Sequence, residues 1–177
     1  MDSLPQVVKS LPIQIVPSFE HPVLAWSTVS MMGTYVCYNP RIADRLPPDV
    51  LAFALVHEYG HLWLNHVRVF RFGENSSAAI KQQELDADCF AARFWATNDT
   101  KVVQAAVASF LSATADGELG SEKPSLEAGY PTRRERAQVI LDCLAEVQRM
   151  SAADWDQCRI GIQASIVPTE YSTGPFW

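Results

Sequence analysis

The sequence lacks several features that would place it in a specialised class of protein. It has no run approaching the roughly 18 apolar residues of a membrane span, so we expect no transmembrane helix. Its N-terminus has no basic segment followed by an uninterrupted apolar core, so we expect no signal peptide. Lys and Arg number 14 against 20 Asp and Glu, a net charge of −6, which argues against nucleic acid or an anionic membrane as a partner.

Cysteine is also scarce. Among Cys37, Cys89, Cys143 and Cys158 there is no C-x-x-C pair, and two of them lie in helical patterns where a small buried residue would serve. Because there is no secretion signal, we expect reduced thiols in the core rather than disulfides. With 48% hydrophobic and 19% charged residues, the composition predicts one acidic, cytoplasmic domain over residues 1–177.

The order of predicted elements indicates an α+β fold that is mostly helical. Alternating and β-branched residues predict about three short strands within residues 12–40, the last of them at Met31–Tyr38. The predicted helices cover 47–71, 77–97, 101–114 and 132–150. Residues 115–131, with three glycines and two prolines, predict a loop, and 151–177 a short helix and an irregular tail. We expect the small N-terminal sheet, mixed or antiparallel, to pack on the first long helix.

Histidine marks the chemically informative part of that first long helix. Three of the four histidines in the chain fall between positions 57 and 66. The segment His57-Glu58-Tyr59-Gly60-His61 places two imidazoles four residues apart, on one face of the helix. Both can reach one metal ion, and Glu58 can address a water at that ion. This is the H-E-x-x-H pattern of zinc metallopeptidases.

Two other residues of this helix need separate interpretations. His66 lies nine residues after His57, which is about 180° round the helix, so we expect a structural or surface histidine and not a ligand. Gly60 costs roughly 1 kcal/mol relative to Ala inside a helix, which predicts close approach by another element.

A catalytic zinc ion needs a third protein ligand as well as an open position. At about 1.5 Å per residue, the predicted helix runs ~15 Å beyond His61, and Glu84 lies ~10 Å into the next helix. An antiparallel return therefore brings Glu84 to roughly the height of His61. Asp88, one turn further on, is placed to accept the free N–H of a ligating imidazole. Asp86 points elsewhere on the helix, so we expect it to be solvated or to make a loop contact.

These motifs resemble those of the gluzincin peptidases. The H-E-Y-G-H segment, followed by E-L-D-A-D-C-F-A at 84–91, is similar to the paired motifs of the CAAX prenyl proteases and the HtpX-type heat-shock proteases, whose second motif reads E-x-E-A-D-x-x-A. The resemblance covers about residues 12–140. It implies a zincin-like fold with one Zn²⁺ per chain, held by His57, His61 and Glu84 and supported by Asp88. The transmembrane segments of the larger family members are missing, as in the minimal gluzincins.

The predicted function is zinc-dependent endopeptidase activity on a peptide or protein substrate. Glu58 would take a proton from the attacking water and pass it to the leaving amine. Tyr130-Pro131 with Arg136 resembles the H-P-x-x-x-x-R element of the family, with Tyr in place of His. Tyr130 is therefore the first candidate for a donor to the developing oxyanion and Arg136 the second, with simple packing as the alternative for Tyr130. The Met31–Tyr38 strand is either the cleft edge that receives an extended peptide or an interior strand.

Two further functions are compatible with the sequence. One is a latent or catalytically silent zinc-binding domain that recognises a partner. In that case the tail at 168–177, which ends in Phe176-Trp177, would lie in the cleft as an inhibitory segment, the alternative being an ordinary frayed terminus. The other is a regulatory protease that cuts one cognate transcription factor, as the ImmA-type proteins do.

Overall fold

The computed structural model describes residues 5–31, 33–66, 76–112 and 130–150, together with Asp154. The elements in chain order are α1 (Gln6–Lys9), β1 (Gln14–Pro17), β2 (Ala25–Ser30), β3 (Gly33–Tyr38), α2 (Pro40–Ala43), α3 (Pro48–Trp63), α4 (Ser77–Asn98), α5 (Thr100–Ser112) and α6 (Arg133–Arg149). The predicted short helix and tail at 151–177, apart from Asp154, and all of the predicted loop at 115–131 except its last two residues, lie outside the described residues. Within the described ranges, no helix is long and apolar enough to cross a membrane.

The N-terminal sheet has three strands and is mixed. Strand β1 pairs parallel with β3, and β2 pairs antiparallel with β3, so the strand order is β1-β3-β2. The register places Gln14 opposite Tyr35 and Ala25 opposite Tyr38. Because β3 is the central strand, the interior alternative for the Met31–Tyr38 segment is correct and the cleft-edge alternative is wrong. In the part of the chain that is described, the two sheet edges belong to β1 and β2.

Helix α3 begins as its sequence predicts but ends earlier. Pro48 occupies the first turn, where its missing N–H is not needed, and Asp49 lies at the positive end of the helix dipole. The helix ends at Trp63, eight residues before the predicted end at 71. The reason is a reversal at Asn65, whose φ of 62° is left-handed, a conformation that Asn tolerates better than most residues.

The sheet and the helices pack on the two sides of α3. This helix contacts β2 and β3 on one side and α4 and α5 on the other, while α6 packs against α4 and α5. Leu55 and Val56 on α3 are fully buried in the same apolar cluster as Trp95, Val103 and Ile140. The predicted fold class, mostly helical with a small mixed N-terminal sheet packed on the first long helix, is therefore confirmed.

Helices α4 and α6 run in the same direction and are joined by four side-chain links. Going up both helices, the joined residues are Lys81 with Glu135, Asp88 with Arg136, Cys89 with Cys143, and Arg93 with Glu146. A capping box starts α6, since Thr132 accepts from the backbone of Glu135 and its own N–H donates to the Glu135 carboxylate.

The third of these links corrects a prediction. Cys89 and Cys143 form a disulfide, with Cα atoms 5.5 Å apart, whereas the sequence led us to expect reduced thiols. Their spacing of 54 residues gives no local signal, because the pairing depends on the parallel packing of α4 against α6. Cys37 is a free thiol.

Candidate metal centre

The two α3 histidines turn the same ring nitrogen toward a common point. Their Nε2 atoms are 3.1 Å apart, and the rings meet edge to face with centroids 4.7 Å apart. Both side chains are buried, as expected for the core face of α3. His57, Glu58 and His61 each offer a ligand atom within 4.8 Å of the others, so this group could hold a metal ion.

Glu84 on α4 reaches the same point from the opposite side. One carboxylate oxygen lies 3.5 Å from His57 Nε2 and the other 3.4 Å from His61 Nε2. Burial would raise the pKa of Glu84, but the hydrogen bonds from both imidazoles hold it well below its usual value. The antiparallel return of α4 along α3 thus brings together the three side chains that the spacing predicted would meet.

Asp88 contacts the far side of the His57 ring. Its Oδ1 lies 2.8 Å from His57 Nδ1, and the Asp88 side chain is fully buried. Burial alone would lower the pKa of His57, but the Asp88 charge and hydrogen bond, with a further bond to Glu84, raise it to about 9. Asp88 therefore keeps a proton on Nδ1, which leaves Nε2 as the nitrogen that faces Glu84 and His61.

Arg136 on α6 holds Asp88 in place. Its Nε and Nη2 donate to the two Asp88 oxygens, each at 2.7 Å, in the paired geometry that suits a guanidinium and a carboxylate. Burial would raise the pKa of Asp88, but the Arg136 charge keeps it below its usual value. The guanidinium also stacks 4.7 Å from the Phe110 ring centroid. Its nearest atom to His57 is 3.4 Å from Nδ1, the nitrogen turned away from Glu84.

His66 contributes in a way that the sequence reasoning missed. Its Nδ1 lies 3.0 Å from His61 Nδ1, and the residue is 8% exposed. Burial, with the neighbouring His61, lowers the pKa of His66 to about 4. The helical-wheel argument placed His66 far from the site because it assumed a helix running to 71. The available signal was Asn65 immediately before it, since Asn is a common residue at left-handed positions.

Tyr130 is within electrostatic range of Glu84 and Glu58. It precedes α6 and is 48% exposed. Burial, and then the negative charges of Glu84 and Glu58, raise the pKa of Tyr130. The Glu58 charge likewise adds to burial in raising the pKa of Cys37 on β3. The Glu58 charge therefore acts on both Cys37 and Tyr130. Asp86, by contrast, is exposed and accepts from Gln82 at 2.8 Å.

Gly60 sets the distance between the helices that bear the ligating atoms. A Cβ at this position would lie 3.0 Å from Phe90 Cδ1 and 3.3 Å from both Cβ and Cγ of the same side chain. Carbon atoms normally approach to about 3.5–4.0 Å, so a side chain here would push Phe90 and α4 away. The close approach predicted for Gly60 is confirmed, and α4 is the element that makes it.

Comparison with known proteins gives one positive result. No curated protein and no solved structure matches this sequence. The profile of the family Peptidase U49 matches residues 37–154, which include every residue of the candidate metal centre. Since that match covers about two thirds of the chain, the chain belongs to the Peptidase U49 family.

Proposed function

We propose that this peptidase is a zinc metallopeptidase of the gluzincin type, in which His57, His61 and Glu84 hold the metal and Glu58 is the general base. Membership of Peptidase U49 implies peptide-bond hydrolysis and a peptide or protein substrate. The metal, the ligand set and the roles of individual residues are our proposal.

The observation that carries the proposal is the spacing between the two imidazole nitrogens and the two oxygens of the Glu84 carboxylate. In a tetrahedral site with bonds of about 2.0–2.1 Å, neighbouring donors lie about 3.3–3.4 Å apart. The two Nε2 atoms are 3.1 Å apart. His61 Nε2 lies 3.4 Å from one Glu84 oxygen, and His57 Nε2 lies 3.5 Å from the other. Two imidazoles and one carboxylate are a donor set that suits Zn²⁺ with one position left for water. The residues present therefore fit the metal.

Glu84 is a better third ligand than Glu58 on geometric grounds. Each Glu84 oxygen faces the Nε2 of a different histidine, so the carboxylate closes the triangle. Glu58 follows His57 directly and is rotated about 100° round the helix from it. One of its carboxylate oxygens lies within 4.8 Å of a ring nitrogen of each histidine, a position that suits a base working on a bound water.

The mechanism assigns a proton or a hydrogen bond to each residue. When bound, zinc supplies a Lewis acid that polarises the scissile carbonyl and makes water a stronger acid. A Glu58 carboxylate oxygen takes the proton of the attacking water and returns it to the nitrogen of the leaving amine. The Tyr130 hydroxyl donates to the developing oxyanion. Arg136 does not need to touch the substrate, because its two bonds to Asp88 serve to orient His57.

The cytoplasmic location predicted from the sequence stays a prediction. The Cys89–Cys143 disulfide is an observation against it, since disulfides are uncommon in reducing compartments.

The test compares three conservative variants, Glu58→Gln, Glu84→Gln and Asp86→Asn. Metal content is measured by mass spectrometry after dialysis against Zn²⁺, and cleavage is measured on a fluorescence-quenched peptide library. We expect Glu58→Gln to keep one zinc per chain and to lose roughly 10²–10⁴-fold in cleavage rate. Glu84→Gln should lose both zinc and activity. Asp86→Asn, an exposed carboxylate change on the same helix, should keep both.

Three results would refute the proposal in different places. A wild-type chain without stoichiometric zinc refutes the metal site. Glu58→Gln with full zinc and full activity refutes the base. Zinc lost from Glu58→Gln but retained by Glu84→Gln would exchange the roles of the two glutamates.

A further inference from the structure

We propose that His66 is a positioning residue for the metal centre: its Nδ1 accepts a hydrogen bond from the Nδ1–H of His61 and so keeps the Nε2 of His61 available for zinc. This inference rests on the proposed function, because it assigns a purpose to the ring nitrogen that His61 turns away from the metal. It goes beyond that function because neither the H-E-x-x-H pattern nor the third ligand requires His66.

The contact has the geometry of a single, specific hydrogen bond. The two Nδ1 atoms are 3.0 Å apart, and the rings meet at 66° with centroids 5.2 Å apart. A neutral imidazole carries one N–H and one lone pair. If His61 offers its Nε2 lone pair to a metal, its proton must be on Nδ1, and the atom that faces this proton is Nδ1 of His66. His66 is then the acceptor.

Because both rings are buried, losing the His61–His66 hydrogen bond is energetically costly. His61 is 7% exposed and His66 is 8% exposed, so water has little access to replace a lost partner. A buried N–H without an acceptor keeps the full cost of its desolvation. The alternative tautomer, with the proton on Nε2, would avoid that cost but would direct an N–H at the metal position. Without His66, His61 is therefore driven toward the tautomer that cannot bind metal.

The backbone at the end of α3 places His66 next to His61. After α3 ends at Trp63, the Leu64 N–H donates to the Gly60 carbonyl at 2.9 Å and the Asn65 N–H to the Leu62 carbonyl at 3.1 Å. The left-handed φ of 62° at Asn65 then breaks the helical path, and the His66 ring lies with its Nδ1 3.0 Å from that of His61. An uninterrupted helix would instead carry residue 66 away from His61, since five residues correspond to about 140° of rotation.

The two ligating histidines thus have partners of different kinds. His57 faces the Asp88 carboxylate, which is itself bound to Arg136, whereas His61 faces a neutral imidazole. A carboxylate partner both orients an imidazole and raises its basicity, while a neutral acceptor mainly orients it. An uncharged acceptor at the same place should therefore replace His66. Asn is suitable, because its Oδ1 can occupy the position of Nδ1 of His.

The experiment uses His66→Leu, which fills the space without an acceptor, and His66→Asn, which restores one. His21→Leu is the control, since His21 is exposed and its ring packs against Trp26. Three quantities are measured on the full chain. They are zinc affinity by competition with a chromophoric chelator, the visible absorption of the Co²⁺-loaded protein, and the urea midpoint of the metal-free protein.

We expect His66→Leu to weaken zinc binding roughly 10–100-fold, the usual effect of losing the partner of a ligating histidine, and to change the Co²⁺ spectrum. His66→Asn should recover most of the affinity and the wild-type spectrum, and His21→Leu should match the wild type. Wild-type affinity in His66→Leu would overturn the inference. So would equal losses in the Leu and Asn variants, because these would indicate packing rather than hydrogen bonding.

Failure of the proposed function can be distinguished from failure of this inference. A wild-type chain that binds neither Zn²⁺ nor Co²⁺ overturns the metal site itself. In that case long-range ¹⁵N–¹H spectra of the metal-free protein test the hydrogen bond between His61 and His66. A His61 proton on Nδ1 that moves to Nε2 in His66→Leu supports the hydrogen bond, and a proton on Nε2 in the wild type overturns it.

Discussion

Replacing Gly60 by Ala should destabilise the protein even though Ala is the better helix former. In an open helix interior this change would add roughly 1 kcal/mol of stability. Here the new methyl group would lie 3.0–3.3 Å from three atoms of Phe90. One of these is Phe90 Cβ, which moves only if the α4 backbone moves. Rotating the ring therefore cannot relieve the contact, and the two helices must separate by a few tenths of an ångström.

The gain in helix propensity and the cost of the steric overlap change stability in opposite directions, and the steric cost is the larger. Forcing a methylene-sized group into a packed interface costs about 1–3 kcal/mol. Set against a gain of about 1 kcal/mol from helix propensity, the net change is a loss of up to about 2 kcal/mol in the free energy of unfolding.

The same separation should weaken metal binding. Gly60 lies between the two ligating histidines in sequence, and Phe90 is six residues after Glu84 on the facing helix. Moving α4 outward lengthens the 3.4 and 3.5 Å separations between the Glu84 oxygens and the imidazoles. If about 1 kcal/mol of strain opposes the metal-bound geometry, zinc affinity falls roughly fivefold.

The assay is a double-mutant cycle with Phe90→Ala. Unfolding in urea is followed by circular dichroism on metal-free protein, and zinc affinity is measured by chelator competition. In the Phe90→Ala background Cδ1 and Cγ are gone and only the Cβ contact at 3.3 Å remains, so Gly60→Ala should cost clearly less than in the wild type. Two results would refute the reasoning: a stabilised single Gly60→Ala variant, or the same loss with and without the Phe90 ring.

Three other perturbations follow from contacts in the structure. Asp88→Asn leaves the Arg136 charge buried without its counterion, so we expect a loss of about 3–5 kcal/mol in unfolding free energy and roughly 10–100-fold weaker zinc binding. Replacing Cys89 and Cys143 by Ser opens a loop of 54 residues, which should cost about 4 kcal/mol in urea unfolding. Glu135→Gln should destabilise the protein at pH 6 and progressively less as the pH falls. The pKa of Glu135 is lowered from 4.5 to about 2 in the folded state, chiefly by its bond from a lysine, so its stabilisation is complete above pH 4.5 and is lost toward pH 2.

Each of these has a matched control. Asp86→Asn removes an exposed carboxylate two residues away and should change stability by less than about 0.5 kcal/mol. Cys37→Ser removes the free thiol and should leave the urea midpoint nearly unchanged, whereas equal losses in it and in the disulfide variant would contradict the loop-closure argument. For Glu135, a penalty that stays constant between pH 6 and pH 3 would show that the carboxylate charge is not its source.

The sequence predicts those parts of the centre that depend on regular helix geometry. Two histidines four residues apart must share a face, and the constant rise per residue of an α-helix fixes the height at which a returning helix presents Glu84. The structure has both helices, antiparallel, with Glu84 next to both imidazoles. These relations involve only residues 57–88. The one assumption they need is that the second helix runs antiparallel to the first.

The features that sequence reasoning missed depend on irregular or distant structure. The end of α3 is decided by a single left-handed residue, Asn65, and extrapolating the helical wheel past it misplaced His66. The disulfide depends on the parallel packing of α4 and α6, two helices separated by α5 and a segment whose path the sequence does not specify. The central position of β3 likewise follows from a parallel pairing with β1, which no local pattern distinguishes from an antiparallel meander.

The hairpin of α3 and α4 has a consequence for how such a peptidase can diversify. The proposed ligands and Asp88 lie within one contiguous stretch of the chain, from His57 to Asp88. Two side chains on which the Glu58 charge acts come from elsewhere: Cys37 precedes the hairpin, and Tyr130 follows it only after the whole of α5. Substitutions at these two positions can therefore change the surroundings of Glu58 without altering the segment that carries the proposed ligands.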